Sequence, residues 1–372
     1  MVEFRFRISP VPRERAGLPE GFLMDVTKKP GKILKKQPIM RRVLAALLPC
    51  VVGAVYFFGW RSLVMVLVAA LAGLIVEFLF THKRNEPVTE AVFVTTTILA
   101  LIMPPTVPWH VLIIGVVFAV MFTKEIFGGF GRNFFNPAMA GRCFVYICFP
   151  VAMTAVWAPV AEGRWGALNK WTTVSSVNAA TGATPMADIK AGKLIIGSQA
   201  SLTDESRKDI GAGQKSLVDR KTFYKLLLFG RISGTVGVTS VLLILIGGIY
   251  LFVTKTASRT IILSVIITYG LLSQILYFFG VKPVPDGLTA LLGGGFLFGA
   301  FFMATDPISA PRTQEAKLIY GIIIGLCSVI IMNFSIFNGG LMFSILIGNM
   351  FAPILDTIVR SFKTAKNIGE KT

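Results

Sequence analysis

Long apolar segments, each about the length of a bilayer-crossing helix, dominate the chain and restrict what it can fold into. A helix needs about 20 mostly apolar residues to span a bilayer, or somewhat fewer where it is short or broken. Ten segments meet this criterion in two sets of five: 43–59, 62–81, 89–103, 108–125 and 137–155, then 233–253, 259–279, 286–304, 317–334 and 340–359. Charged residues make up 15% of the chain and hydrophobic residues 54%. We therefore predict an all-α integral membrane protein with ten transmembrane helices.

The distribution of positive charge predicts how these helices are oriented. The chain has a formal net charge of +18, and membrane proteins concentrate Lys and Arg in their cytoplasmic connections. The short connections on the predicted outer face hold Arg61 and Lys282. Those on the predicted inner face include Arg84, Arg132 and Arg312. We therefore predict cytoplasmic N- and C-termini in a bacterial or archaeal inner membrane. The lipid bilayer accounts for the basic charge, and we expect no nucleic-acid partner.

The same pattern divides the chain into consecutive regions. Charge and proline run throughout the N-terminal region, which is therefore unlike a cleavable signal peptide. The predicted regions are 1–42, a cytoplasmic basic arm; 43–156, a first five-helix repeat; 157–221, an outer loop; 222–360, a second five-helix repeat; and 361–372, a cytoplasmic tail.

An internal repeat supports the division into two sets of five helices. Pro105 and Pro307 are 202 residues apart, and Asn136 and Asn338 have the same spacing. In both sets a short helix ends near the proline, and another helix follows the asparagine. Because each set crosses the membrane an odd number of times, the two copies must be inverted relative to each other. The prediction is two inverted five-helix repeats, resembling the urea-transporter-like arrangement.

Acidic side chains within apolar segments are costly and call for a functional hypothesis. Glu77 and Asp306 are the best candidates for an ion or proton path, because Glu77 lies well inside the second helix and Asp306 at the broken end of the eighth. For Glu90, Glu125 and Asp356, which lie close to predicted interfaces, helix capping or ion pairing is at least as good an explanation.

Metal binding is not indicated by the cysteines and histidines. The four cysteines lie in apolar segments without a CxxC pair, and we interpret them as small buried residues. The two histidines, His82 and His110, fall at opposite predicted membrane faces. We predict no metal site.

The outer loop contains one turn of small residues that ends in a hydroxyl, Thr181-Gly182-Ala183-Thr184-Pro185. Small neighbours would let a bulky group approach the Thr184 hydroxyl, and Pro185 would stiffen the connection. For so short a pattern an ordinary polar turn is the simpler explanation, although the residues alone leave both interpretations open.

Several longer stretches resemble one known family. They are Lys124-Glu125-Ile126-Phe127-Gly128-Gly129-Phe130-Gly131-Arg132-Asn133, Phe135-Asn136-Pro137-Ala138-Met139-Ala140-Gly141-Arg142, Gly234-Thr235-Val236-Gly237-Val238-Thr239-Ser240 and Phe302-Met303-Ala304-Thr305-Asp306-Pro307-Ile308-Ser309-Ala310. With these stretches in this order, the chain after residue 40 is similar to the membrane subunits NqrB, of the sodium-translocating NADH:quinone oxidoreductase, and RnfD, of the Rnf ferredoxin:NAD oxidoreductase.

The resemblance implies a covalent cofactor in the outer loop. In this family the last threonine of such a turn carries FMN through a phosphoester bond, a role that falls on Thr184, with Gly182 and Ala183 as its setting. The family also implies a second flavin, riboflavin, in or near the helical core, and partner subunits that include a second flavinylated subunit on the outer face. Relatives often have Gly-Glu-Thr-Ser where this chain has Gly237-Val238-Thr239-Ser240, so a role for that glutamate does not carry over.

The resemblance thus implies a translocase subunit that relays electrons and helps to move Na⁺ or H⁺. An RnfD-like role between ferredoxin and NAD is favoured by Pro150-Val151-Ala152-Met153 and by Met186 after the turn. An NqrB-like role between NADH and quinone remains the alternative. Outside this class, the helical pattern also fits a urea-transporter-like channel or transporter without a redox cofactor, or a scaffold for partner subunits.

Overall fold

The computed structural model describes residues 34–154, 157–161, 163–173, 185–196, 216–335, 337 and 339–369. Helices dominate these residues because the long apolar segments satisfy their backbone groups internally. The helices are α1 (Pro38–Phe58), α2 (Trp60–Lys83), α3 (Ala91–Leu101), α4 (Trp109–Val120), α5 (Pro137–Cys148), α6 (Pro150–Thr154), α7 (Pro185–Lys190), α8 (Arg220–Phe229), α9 (Val241–Val253), α10 (Arg259–Phe278), α11 (Gly287–Leu292), α12 (Phe296–Phe298), α13 (Gln314–Phe334) and α14 (Gly340–Gly369).

Short irregular elements complete the described part of the chain. A π-helical turn, Met121–Glu125, continues α4, and another, Gly299–Met303, continues α12. Two pairs of parallel strands accompany the helices: β1 (Leu34–Lys35) with β2 (Val88–Thr89), and β3 (Leu194–Ile196) with β4 (Ser216–Val218).

Five of the described helices are long and apolar enough to cross a membrane: α1, α2, α10, α13 and α14. The helices α3 and α9 are apolar but shorter. The long helices carry large exposed apolar side chains, such as Leu71 in α2 and Leu271 in α10. An apolar surface of this kind suits lipid rather than water. The chain is therefore a mostly helical, multi-pass membrane protein.

Two of the predicted spans are broken in the structure, and a third begins its helix well after the predicted start. The predicted segment 137–155 is divided at Phe149, because Pro150 lacks an amide hydrogen and disfavours helical backbone in the residue before it. The predicted segment 286–304 is interrupted at Gly293–Gly295, where Gly294 and Gly295 have φ of 61° and 70°. The predicted segment 233–253 begins its helix only at Val241.

The first and last long helices are longer than the predicted spans. Helix α1 begins at Pro38, inside the predicted arm, because proline suits the first turn of a helix. The start of this helix is anchored to Glu90: Gln37 N donates to Glu90 Oε2 at 2.6 Å, and Arg41 Nε donates to Glu90 Oε1 at 2.9 Å. At the other end, α14 continues to Gly369.

Backbone carbonyls at the C-terminal end of α3 accept hydrogen bonds from a segment in the second half of the chain. The last carbonyls of a helix lack partners within the helix. Here Gly237 N donates to Leu101 O at 2.7 Å, and Val236 N donates to Met103 O at 3.0 Å. A Cβ atom at Gly237 would lie 2.5 Å from Leu101 Cδ2. The segment 234–240 therefore packs against α3 as closely as a glycine allows.

In the second half, a backbone carbonyl at the end of the π-helical turn Gly299–Met303 accepts a hydrogen bond from the first half. Asn136 Nδ2 donates to Met303 O at 3.0 Å, while Asn136 Oδ1 caps α5 by accepting from Ala138 N. Asn136 N donates to Asn349 Oδ1 at 3.0 Å. Asn136 thus has a structural role at this break, whereas its repeat partner Asn338 lies outside the described residues.

Candidate functional site

A cavity of about 140 Å³ lies between the two halves of the chain. Its wall includes Met153 and Trp157, which follow α5, and Met186 in α7. The glycine break of the second half contributes Gly294 and Gly295. The segment 234–240 contributes Gly234, Thr235, Val238 and Thr239 to this wall. Mostly apolar walls with a few polar groups are typical of a cofactor pocket.

Helix α7 brings the outer loop to this cavity. The predicted attachment residues Gly182, Ala183 and Thr184 lie outside the described residues, and α7 begins at Pro185, directly after them. Met186 packs against the glycine break: a Cβ atom at Gly293 would lie 2.3 Å from Met186 Sδ. The chain two residues beyond Thr184 is thus seated in the cavity wall.

Lys190, the last residue of α7, fixes this helix to the end of α13. Its Nζ donates to Met332 O at 2.9 Å and also to Ser335 O. These carbonyls end α13, where a cation interacts favourably with the helix dipole. Burial lowers the pKa of Lys190. The interaction ties the segment that follows Thr184 to a long apolar helix of the second half.

A positively charged side chain, Arg142 from α5, lines the same cavity. Its Nε is buried and has no hydrogen-bond partner within the described part of the chain. A guanidinium is always charged, and a buried charge without a counterion is costly. The cavity therefore offers a site suited to an anionic group. Arg142 was not among the predicted site residues, although an arginine inside an apolar segment is itself a signal of function.

A second cavity, on the side of β1 and β2, leads to a buried charged cluster that contains Glu77. The Glu77 side chain accepts from Thr89 N at 2.8 Å and from Thr89 Oγ1 at 2.6 Å. Its other oxygen accepts from Lys124 Nζ at 2.6 Å. Glu77, Thr89 and Lys124 are all buried. The predicted candidate Glu77 is thus held in an ion pair within the protein interior.

The same cluster includes Glu125, and ion pairing, one of the two explanations offered for it, is confirmed. Glu125 Oε2 forms an ion pair with Arg84, whereas Lys124 bonds to Glu77. Glu125 Oε1 lies 3.9 Å from Lys124 Nζ and has no hydrogen bond to any residue that the structure describes. The sequence did not indicate this arrangement because a π-helical turn, which α-helical spacing does not anticipate, carries both Lys124 and Glu125.

The other predicted ion-path residue, Asp306, lines a different cavity. Asp306 Oδ2 accepts from Ser309 Oγ at 2.7 Å and from Ser309 N at 3.3 Å, and so caps the turn that follows the second break. Asn136 and Thr305 line this third cavity with it. Glu77 and Asp306 therefore belong to separate sites.

These features define a class: a multi-pass helical membrane protein whose interrupted helices enclose internal cavities with buried charged groups. Within that class, the model of the NQR2, RnfD, RnfE family matches residues 32–364, and the chain belongs to this family.

Curated relatives support the assignment over most of their length. The D subunit of an ion-translocating oxidoreductase complex from Shewanella amazonensis is 32% identical over 336 residues, which cover 87% of this chain and 92% of the relative. The equivalent proteins from Shigella dysenteriae and Escherichia coli K12 are each 32% identical over 333 residues, with the same coverage.

Proposed function

We propose that this chain is the RnfD-like, flavin-carrying membrane subunit of a complex that uses electron transfer from ferredoxin to NAD to move Na⁺ or H⁺. FMN is attached to Thr184 through a phosphoester bond, beside Gly182 and Ala183. The observation that carries the proposal is the cavity beside α7, whose wall includes Met186 and Arg142. The relatives are named as members of an ion-translocating oxidoreductase complex.

The residues around the cavity fit an FMN group. Arg142 offers a positive charge to a phosphate or to the reduced ring, and Thr235 and Thr239 offer hydroxyl groups. Met153 and Met186 provide apolar, adaptable surface for a flat ring. When bound, the flavin would supply the electron-transfer chemistry, while these residues would position it and adjust its electrostatics.

The proposal includes the finer topology. We place ten crossings in two inverted five-helix repeats, with both termini in the cytoplasm and the loop 157–221 on the outer face of a bacterial or archaeal inner membrane. In support, the short apolar helix α3 ends at Leu101 in the first half, and the third predicted span of the second half is broken at Gly293–Gly295. The other subunits, including a second flavinylated subunit, would contact the outer face, and a riboflavin would lie in or near the core.

Ion movement in this proposal uses buried acidic groups. Glu77 and Asp306 each line a cavity and are the residues proposed for the ion path. Because they lie in separate cavities, they would act at different stages of cation movement.

The attachment site is tested by covalent flavin fluorescence. The chain is expressed with its partner subunits, denatured and separated on a gel, where the parent protein should fluoresce as a flavin adduct. Thr184→Val should abolish the fluorescence, and the matched control Thr181→Val, in the same turn, should keep it. A non-fluorescent parent band would overturn the proposal and favour a plain channel, transporter or scaffold.

The electron donor separates the two redox alternatives. Reduction of the bound flavin by reduced ferredoxin supports the RnfD-like role, whereas reduction by NADH, with quinone as acceptor, supports the NqrB-like role. The assay is the loss of flavin absorbance in the purified complex after each donor is added.

A further inference from the structure

Helix α2 has one apolar face that is exposed along nearly the whole helix. Trp60, Leu67, Leu71 and Phe78 share this face, because their spacings return to about the same side of a helix with about 3.6 residues per turn. At a rise of about 1.5 Å per residue, Trp60 and Phe78 are about 27 Å apart along the axis, close to the thickness of about 30 Å of a hydrocarbon core. Trp60 therefore lies at the level of the lipid headgroups, where tryptophan is enriched.

The turn between α1 and α2 holds a second segment, residues 163–171, at this level. Trp60 Nε1 donates to Leu168 O at 2.9 Å. The backbone of the next residue in α2 is also used, because Arg61 N donates to Trp171 O at 2.8 Å. The 163–171 loop is thus bonded to the end of α2 that reaches the headgroups.

The loop is also bonded to the last turn of α1. Ala167 N donates to Tyr56 O at 2.7 Å, and Tyr56 Oη donates to Arg164 O at 3.2 Å. Gly166 has φ of 54°, and a Cβ atom there would lie 2.4 Å from Tyr56 O. Because the loop packs this closely on α1 and bonds to α2, its depth in the membrane follows that of the two helices.

Two indole rings of the 163–171 loop point away from the protein. The Trp165 side chain is 74% exposed and that of Trp171 is 55% exposed. Exposed apolar surface with polar groups at its rim marks a contact with protein or membrane. The rim here is basic: Arg164 and Lys170 are exposed, and the loop contains no acidic residue. Glu162, which precedes the loop, lies outside the described residues.

We propose that the 163–171 loop is an anchor that binds phospholipid headgroups. Trp165 and Trp171 insert among the headgroups, while Arg164 and Lys170 bind lipid phosphates. The occupant is lipid because Trp60, to which the loop bonds, continues the lipid-facing surface of α2. The anchor fixes the depth at which this part of the chain lies, and it depends on neither the proposed flavin nor the proposed ion path.

Photoreactive lipids test the anchor. The complete complex is reconstituted in vesicles of phosphatidylethanolamine and phosphatidylglycerol. A small fraction of the phosphatidylglycerol carries a diazirine either near the headgroup or at the end of an acyl chain. After illumination, labelled peptides of this chain are identified by mass spectrometry. The headgroup probe should label the 163–171 loop, and the acyl-end probe should instead label the part of α2 around Leu71.

Substitution of the two indoles tests what holds the loop among the lipids. Trp165→Ser/Trp171→Ser should lower headgroup labelling of the loop about tenfold, because burial of a large apolar side chain contributes at least that factor. Trp165→Tyr/Trp171→Tyr should retain the labelling, since tyrosine also suits the interface. The control Phe278→Ser, which removes an exposed ring from α10, should match the parent.

Two results would overturn the anchor. One is a parent loop that the headgroup probe does not label, because the loop then faces water or a partner subunit. The other is equal labelling of the loop in the parent and in the serine variant. If the serine variant does not assemble, the labelling pattern of the parent decides alone.

Discussion

At the scale of single residues, Arg142 is the group whose charge most needs an explanation. A surface arginine is hydrated, but Arg142 Nε is buried at the wall of a largely apolar cavity, without a partner in the described residues. Its side chain belongs to the segment Pro137–Cys148, which was predicted to cross the membrane. An anionic ligand in the cavity would supply the missing counterion.

If the proposed flavin occupies this cavity, replacing Arg142 should change its redox potential. A reduced flavin carries more negative charge than an oxidised one, so a nearby guanidinium stabilises the reduced form. In Arg142→Met we expect attachment to persist while the midpoint potential falls by about 60 mV, a tenfold change in a one-electron equilibrium. Arg142→Lys, which retains the charge, should stay near the parent value in a spectroscopic titration. Equal potentials in the parent and Arg142→Met would contradict this assignment.

At the scale of elements, the short helix α7 holds the chain that follows Thr184 against the second half. Met186 packs against the break at Gly293, and Lys190 bonds to the carbonyl end of α13. Both contacts are made by residues that follow Thr184 within one helix of six residues. A cofactor attached at Thr184 would therefore have a defined position relative to the second half of the chain.

Removal of the Lys190 ammonium should loosen the flavin proposed at Thr184 without detaching it. Lys190→Met loses charge-assisted hydrogen bonds worth about 1.5–3 kcal/mol in total. We expect normal covalent fluorescence but stronger quenching by iodide in the native complex, because the ring spends more time in solvent. Lys190→Arg should restore parental quenching. If iodide quenches the flavin fluorescence equally in Lys190→Met and in the parent, α7 does not set the position of the flavin.

Some of these elements could be predicted from the sequence and others could not. Apolar length alone located α1, α2, α10 and α13 to within a few residues, because a bilayer-length apolar run has few other ways to fold. The interruption at Gly293–Gly295 was not resolved from a continuous span, since it depends on packing against Met186. The ion pair of Lys124 with Glu77 also escaped prediction, because it depends on tertiary contacts around a π-helical turn.

At the scale of the whole molecule, the two halves depend on each other at their interrupted helices. The carbonyls at the end of α3 accept from Val236 and Gly237, and Met303 O accepts from Asn136. An unsatisfied backbone carbonyl within a membrane costs several kcal/mol. Either half alone would expose such groups.

A chain divided in the outer loop should therefore need both fragments. We expect residues 1–200 and 201–372, expressed separately, to be degraded. Expressed together, they should accumulate and retain flavin fluorescence on the first fragment. Quantitative immunoblots of membrane fractions measure this outcome. Stable accumulation of 1–200 alone would show that Met103 and Leu101 do not require the second half.

The reciprocal bonds at Leu101, Met103 and Met303 also bear on how such a chain could have arisen. If the two halves are the inverted repeats proposed above, a single unit would have lacked the segment that bonds to the end of its own short helix. Its earliest stable form would then have been a pair of units inserted in opposite orientations, each supplying the other. Fusion into one chain would have fixed the ratio of the two orientations, and it would have freed each copy to specialise, one with the buried Glu77 and the other with Asp306.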